Sequence, residues 1–186
     1  MPATLYANAT VIDGEHDEPR ERWSVLVEGD RIAAVGSAAA VTAPDGARVI
    51  DCTGRTLMPG MIDCHFHAVY GAVTCWEDYD LRRSIEHATL LAARNAQTLL
   101  EAGFTSARDT GTRGLIAIAL RDMIDSGVIL GPRLSPGGRI ITSTGGLADG
   151  YGSWVDNRAS LGHVVDGVDA VVKAVREQVK YGATTI

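Results

Sequence analysis

The sequence predicts an α/β chain: the first half of a (β/α)8 TIM-type barrel, preceded by a small β unit. Three observations carry that expectation. From residue 58 onward, apolar runs of strand length alternate with stretches of helical period, in the order expected of parallel βα units. Residues 1–57 hold only strand-like runs and turn signals. A complete barrel takes about 250 residues, and the 186 present reach only the start of a fourth strand. The same pattern also fits a doubly wound sheet. However, the G-x-G-x-x-G fingerprint expected at the first turn of a nucleotide-binding sheet is missing.

Within residues 1–57, strands are expected over 2–12 and 24–36. The second run is folded into a hairpin by Glu28-Gly29-Asp30. Short strands follow at Val49-Ile50-Asp51 and Arg55-Thr56-Leu57, and the charged segment 13–22 reads as a solvated loop. Past residue 58, Ile85, Ala88, Ala92, Ala96, Leu99 and Leu100 define a helix over 84–102 that Gly103 stops. Phe104–Asp109 is a strand, and 114–126 is a helix with Ile116, Leu120, Met123 and Ile124 on one face. Pro132–Ser135 is a further strand, and a long glycine-rich connection covers 136–163. The last helix, about 167–181, takes Asp166 as N-cap and turns Val168, Val171, Val172, Val175 and Val179 inward. Ala183–Ile186 then opens the fourth strand.

Composition narrows the class. Apolar residues make up 46% of the chain and the net charge is −6, which suits a globular protein and disfavours nucleic acid or an anionic membrane as partner. No apolar stretch reaches the roughly 18 residues of a membrane span, and no secretory signal is visible, so a cytoplasmic location is expected. Cys52, Cys64 and Cys75 are an odd set without C-x-x-C spacing and read as reduced thiols. Asn8-Ala9-Thr10 matches a glycosylation sequon that has no secretory context.

The chemistry is concentrated in Met61–His67. Side chains on a strand alternate, so His65 and His67 share a face with Asp63 below them, about 6.7 Å apart along the backbone. Imidazoles and a carboxylate on an apolar strand need partners, and one metal ion satisfies both rings. A bare H-x-H is a common pairing of surface residues, and two ligands do not complete a site. The other histidines add little: His16 lies in a charged loop, His87 on a helix surface, and His163 before the last helix, where capping or solvation suits it. Asp109 ends a strand and so reaches the right layer.

Met58-Pro-Gly-Met-Ile-Asp-Cys-His-Phe-His67 resembles the entry motif of the metal-dependent amidohydrolase superfamily. Gly103-Phe-Thr-Ser-Ala-Arg-Asp-Thr-Gly111, Gly131-Pro-Arg-Leu-Ser-Pro-Gly-Gly-Arg139 and Thr144-Gly-Gly146 extend the resemblance over nearly the whole chain. They are similar to the branch holding dipeptidases of the prolidase and arginine-carboxypeptidase type, imidazolonepropionase-like enzymes, and carbamate or phenylurea hydrolases. The resemblance implies that residues 1–57 are part of a β-sandwich completed by a C-terminal segment, and that 58–186 are the first half of the barrel. It implies His65 and His67 as ligands of zinc, in a centre of two divalent metals. The remaining ligands would be a carboxylated lysine directly after Ile186, histidines on strands five and six, and an aspartate on strand eight acting as proton shuttle. No catalytic residue is therefore expected among the 186, and the chain is expected to continue. A homo-oligomer is the expected assembly.

The substrate pocket would be walled by loops after the first and third strands, with Tyr70, Trp76 and Tyr79 in one and Leu147, Tyr151 and Trp154 in the other. Aromatics in such loops also serve simply to pack them down. Dipeptidases of this branch carry Thr-Gly-Gly-His, and Leu147 stands in the fourth position here. That tilts the expectation to hydrolysis of the C–N bond of a neutral amide, carbamate or urea by a metal-activated hydroxide. A dipeptidase of the same branch, a mononuclear deaminase and a non-catalytic half-barrel binding module are the alternatives.

Overall fold

The computed structural model describes residues 3–71, 74–75, 77–155 and 160–186, in two compact units, Met1–Pro59 and Gly60–Ile186. In the first unit β1 (Ala3–Val11) pairs antiparallel with β2 (Arg20–Glu28), which pairs antiparallel with β3 (Arg31–Ser37). On its other side β1 runs parallel to β4 (Arg48–Asp51) and β5 (Thr56–Leu57). The hairpin turn falls at Gly29, with φ +63°. Ala9, Val11, Val25 and Cys52 form the buried core of this sheet.

One boundary differs from expectation. β2 begins at Arg20, so the ladder takes in the end of the charged segment: Val11 pairs with Arg20 and Ala9 with Trp23. Backbone pairing to β1 thus overrides the polar side chains of 20–22. The register shifts there, and Asn8 (φ +61°) and Arg22 (φ +54°) take left-handed conformations beside the shifts.

In the second unit β6 (Met61–Phe66), β7 (Phe104–Asp109) and β8 (Arg133–Ser135) form a parallel sheet in chain order. A short helix α1 (Glu77–Asp80) and then α2 (Ile85–Glu101) connect the first two strands, and α3 (Ile116–Asp125) the next two. Ser84 caps α2 by accepting the His87 N–H, and Gly103 stops it at φ +94°. Ala88, Ala92 and Ala96 recur every fourth residue and pack, with Ile116 and Leu120 of α3, against Ala107 and Leu134 of the sheet. Both helices therefore cover one face, and His65, Arg108 and Arg133 stand exposed on the other.

The connection after β8 is more ordered than its glycine content suggests. β9 (Ile140–Thr142) and β10 (Gly162–Val164) pair in parallel within it. The last helix, α4 (Val168–Tyr181), corrects two expectations. Its cap is Gly167, with no side-chain bond, because the Asp166 carboxylate is turned to the Thr144 N–H (3.1 Å) and hydroxyl (2.5 Å). The buried residues are Ala174 and Gln178, whereas Val171, Val172 and Val179 are exposed and Val168 is 78% exposed. The buried Gln178 meets the loop after β8: its Nε2 donates to the Arg139 carbonyl at 2.9 Å, and a Cβ at Gly138 would overlap its amide. Ala183–Ile186 joins no ladder; the N–H groups of Thr184 and Thr185 both donate to the Pro136 carbonyl, at 2.9 and 3.2 Å.

Asp109 is wholly buried at the end of β7. Its Oδ2 accepts the Ala68 N–H at 2.9 Å and its Oδ1 the Gly111 N–H at 3.0 Å. Burial pushes its carboxyl up to about 6, against the lowering effect of those two bonds.

Two stability predictions follow from this packing. A Cβ at Gly60 would overlap the Thr105 side chain, so Gly60→Ala should cost about 1–3 kcal/mol in urea unfolding. Gly150→Ala, where a methyl group meets nothing within 4 Å, should be silent. For Asp109 the folded pKa lies above the unfolded one of about 3.9. The stability it contributes is complete below that value and is lost as pH rises through about 6. The stability difference between wild type and Asp109→Asn should therefore shrink across this window, and a difference constant with pH would refute the assignment.

Candidate functional site

β6 does not run regularly to its end. Asp63 pairs with Ala107 but Phe66 with Asp109, so three steps on β6 match two on β7. Inside this bulge the His65 N–H donates to Asp63 Oδ1 at 3.0 Å. Phe66 packs against the helix-covered core. The His65 and His67 rings lie side by side, centroids 5.2 Å apart and planes at 68°. Simple alternation anticipated the pairing; the bulge that accompanies it was not legible.

His67 is held on several sides. Its Nδ1 lies 2.8 Å from the Gly111 carbonyl oxygen, which can only accept, so Nδ1 carries the proton. Burial holds the ring below the usual histidine pKa; the Gly111 bond pulls upward, and His65 adds to the lowering. The neutral ring therefore keeps its lone pair on Nε2, which lies 3.3 Å from the Thr110 hydroxyl. Tyr70 stacks on the imidazole at 4.2 Å and 21°, and Tyr79 stacks on Tyr70 at 4.3 Å and 10°. The column His67–Tyr70–Tyr79 gives Tyr70 a place against the histidine, and burial raises the pKa of its hydroxyl.

The glycines of the later segments fit the loops together. Gly137 donates its N–H to the Asp109 carbonyl at 2.9 Å, and a Cβ there would come within 2.7 Å of that oxygen. Gly111, at φ +148°, leaves no room for a Cβ beside Ile140. A recess beside the histidines is lined by His65, Arg108, Thr110, Gly137, Ile140 and Thr185.

The other expected pocket residues lie apart from this recess. Tyr151 donates its hydroxyl to Asp80 Oδ2 at 2.9 Å, and the Leu161 N–H donates to Asp80 Oδ1 at 3.1 Å. Burial raises the Asp80 pKa, with these two bonds, Arg113 and Arg139 opposing. Asp80 thus ties the loop after β6 to the loop after β8, and Arg113 steadies the former by donating to the Tyr79 and Arg83 carbonyls, both at 2.7 Å. Leu147 is 85% exposed, on a shallow depression with Glu77, Asp80 and Tyr151. Trp154 is 87% exposed, its ring folded over Gly152. Trp76 lies outside the described residues. His87 is exposed on α2, while His163 sits half-buried in β10, not in a solvated approach to α4. Asp109, to which the family resemblance gives a structural role, accepts two backbone N–H groups; Asp80 and the Gly111 carbonyl carried no signal in the sequence.

An imidazole with Nδ1 engaged by a carbonyl and a lone pair on Nε2 suits a divalent metal, and the adjacent ring offers a second nitrogen. Among the described residues no group of three or more His, Cys, Asp or Glu gathers.

Comparison with known proteins places this geometry. The Amidohydrolase family profile matches residues 56–186. Ochratoxinase of Aspergillus niger is 31% identical over 203 aligned residues, covering 98% of this chain and 41% of that protein. The structure of a prolidase complexed with N-methylphosphonate-L-proline superposes with a TM-score of 0.81 at 30% identity, covering 97% of this chain and 45% of its own. A Xaa-Pro dipeptidase with bound methionine in its active site gives 0.80 at 33% identity, covering 97% and 45%. The chain spans less than half the length of these relatives, and by its matched residues and its structure it belongs to the amidohydrolase family.

Proposed function

We propose that this chain is the metal-binding first half of a hydrolase that cleaves the C–N bond of an amide, carbamate or urea. The observation that supports this reading best is the neutral His67, its Nδ1–H fixed on Gly111 and its ring beside His65. In this reading His65 and His67 hold zinc through their free nitrogens. A divalent ion at such a site supplies Lewis acidity and a nucleophile at neutral pH. In this reading a carboxylated lysine and an aspartate acting as proton shuttle are among the residues that complete the centre.

The chain's own residues orient and enclose. Tyr70 covers one face of His67 and keeps the ring from turning. Asp80, bonded to Tyr151 and Leu161, holds together the two loops that would wall the pocket. In this reading Leu147, which follows the Thr144-Gly-Gly146 turn, meets an apolar or aryl group of the substrate. A dipeptidase is the second reading, favoured by the superposition on prolidase and Xaa-Pro dipeptidase structures.

Replacing His65 or His67 by Ala in the full-length protein should abolish hydrolysis and lower bound zinc from about two ions per chain, with far-UV circular dichroism unchanged. Full activity at unchanged zinc content would refute the assignment. Leu147→His should raise activity on N-acyl amino acids relative to neutral amides by about tenfold or more. A wild type that already prefers a free carboxylate, with the variant leaving that ratio unmoved, would favour the dipeptidase.

A further inference from the structure

We infer that Asp63 and Asp109 are positioning residues for the histidine pair, each fixing one imidazole through the backbone without touching a ring. The inference rests on the reading that His65 and His67 hold a metal. Asp63 acts on His65: the bulge takes the His65 N–H to Asp63 Oδ1 at 3.0 Å. That bond fixes the peptide from which the His65 side chain leaves, at one of the two places where β6 and β7 are out of step.

Asp109 acts on His67 from two directions. Its Oδ2 accepts the N–H of Ala68, the residue after His67, at 2.9 Å, and its Oδ1 accepts the N–H of Gly111 at 3.0 Å. The Gly111 carbonyl in turn accepts the His67 Nδ1–H at 2.8 Å. Gly111 sits at φ +148°, a conformation open to glycine. The Gly111 carbonyl belongs to the following peptide, whose Thr112 N–H donates to the Gly138 carbonyl at 2.9 Å. Asp109 thus fixes the peptide that enters the glycine pivot, and a Gly111 displaced by its loss would leave Nδ1 without its acceptor and the tautomer unspecified. One carboxylate therefore holds the root of the His67 side chain and the entry to the glycine whose carbonyl dictates which nitrogen is free.

The two aspartates make different demands, and the substitutions separate them. Asp63 supplies one acceptor, so Asn can replace it and Ala cannot. Asp109 supplies two acceptors to two N–H groups; Asn offers one oxygen and sets an NH2 against the other donor, so Asn should fail with Ala. In full-length protein, zinc affinity measured by competition with a chromophoric chelator should fall about 10–100-fold in Asp63→Ala, Asp109→Ala and Asp109→Asn. Asp63→Asn should stay close to wild type. The His67 Nδ1–H resonance of metal-free protein, seen by 15N-imidazole NMR, should persist in both Asp63 variants and be lost or exchange-broadened in Asp109→Asn. Should Asp109→Ala fail to fold, Asp109→Asn keeps the volume and one acceptor and carries the test. Asp63→Asn binding as weakly as Asp63→Ala would mean that its charge acts directly, and would overturn the Asp63 role. Wild-type affinity and an intact resonance in Asp109→Asn would overturn the other. His65→Ala and His67→Ala belong in the same series: if they leave zinc affinity unchanged the metal reading fails, and if they alone lower it only the positioning inference fails.

Discussion

The second unit depends on a buried carboxylate that answers backbone donors. Asp109 accepts two main-chain N–H groups, and its own carbonyl accepts a third, from Gly137. Those bonds join the ends of β6 and β7 to the start of the loop after β8. Burying a carboxylate is costly, and the upward push on its pKa is the sign of that cost. The cost is tolerated because alternative acceptors would be missing where three strand ends converge. An apolar residue there would leave the Ala68 and Gly111 N–H groups unanswered in the interior.

Glycine placement follows from the same convergence. Gly60, Gly137 and Gly138 sit where backbone meets Thr105, Asp109 and Gln178 with no room for a side chain. At Gly138 the close approach is to α4, whose buried Gln178 donates to the Arg139 carbonyl.

Much of the fold was readable from periodicity. α2, α3 and the three parallel strands lie where the apolar spacing put them, because each is an element whose packing is decided by one repeating face. The site was half readable. His65 and His67 are spaced for one face, and they meet. What holds His67 was hidden, because the Gly111 carbonyl that fixes its tautomer lies 44 positions ahead in the sequence. Asp166 shows the converse error: a good capping residue by local rules, it serves Thr144 instead, 22 positions away. Local propensity ranks what a residue can do, and the tertiary partner decides which of these it does.

The two histidines differ in how far their anchors lie along the chain. His65 is fixed by a residue two positions back, His67 by a carbonyl 44 positions ahead. Contacts of short separation close early in folding, and those of long separation wait for loop closure. During synthesis His65 is thus oriented as soon as β6 forms. His67 becomes a defined donor only after β7 and the turn beyond it have docked. The orientation of His65 is therefore a property of one strand, and the defined tautomer of His67 a property of the docked sheet.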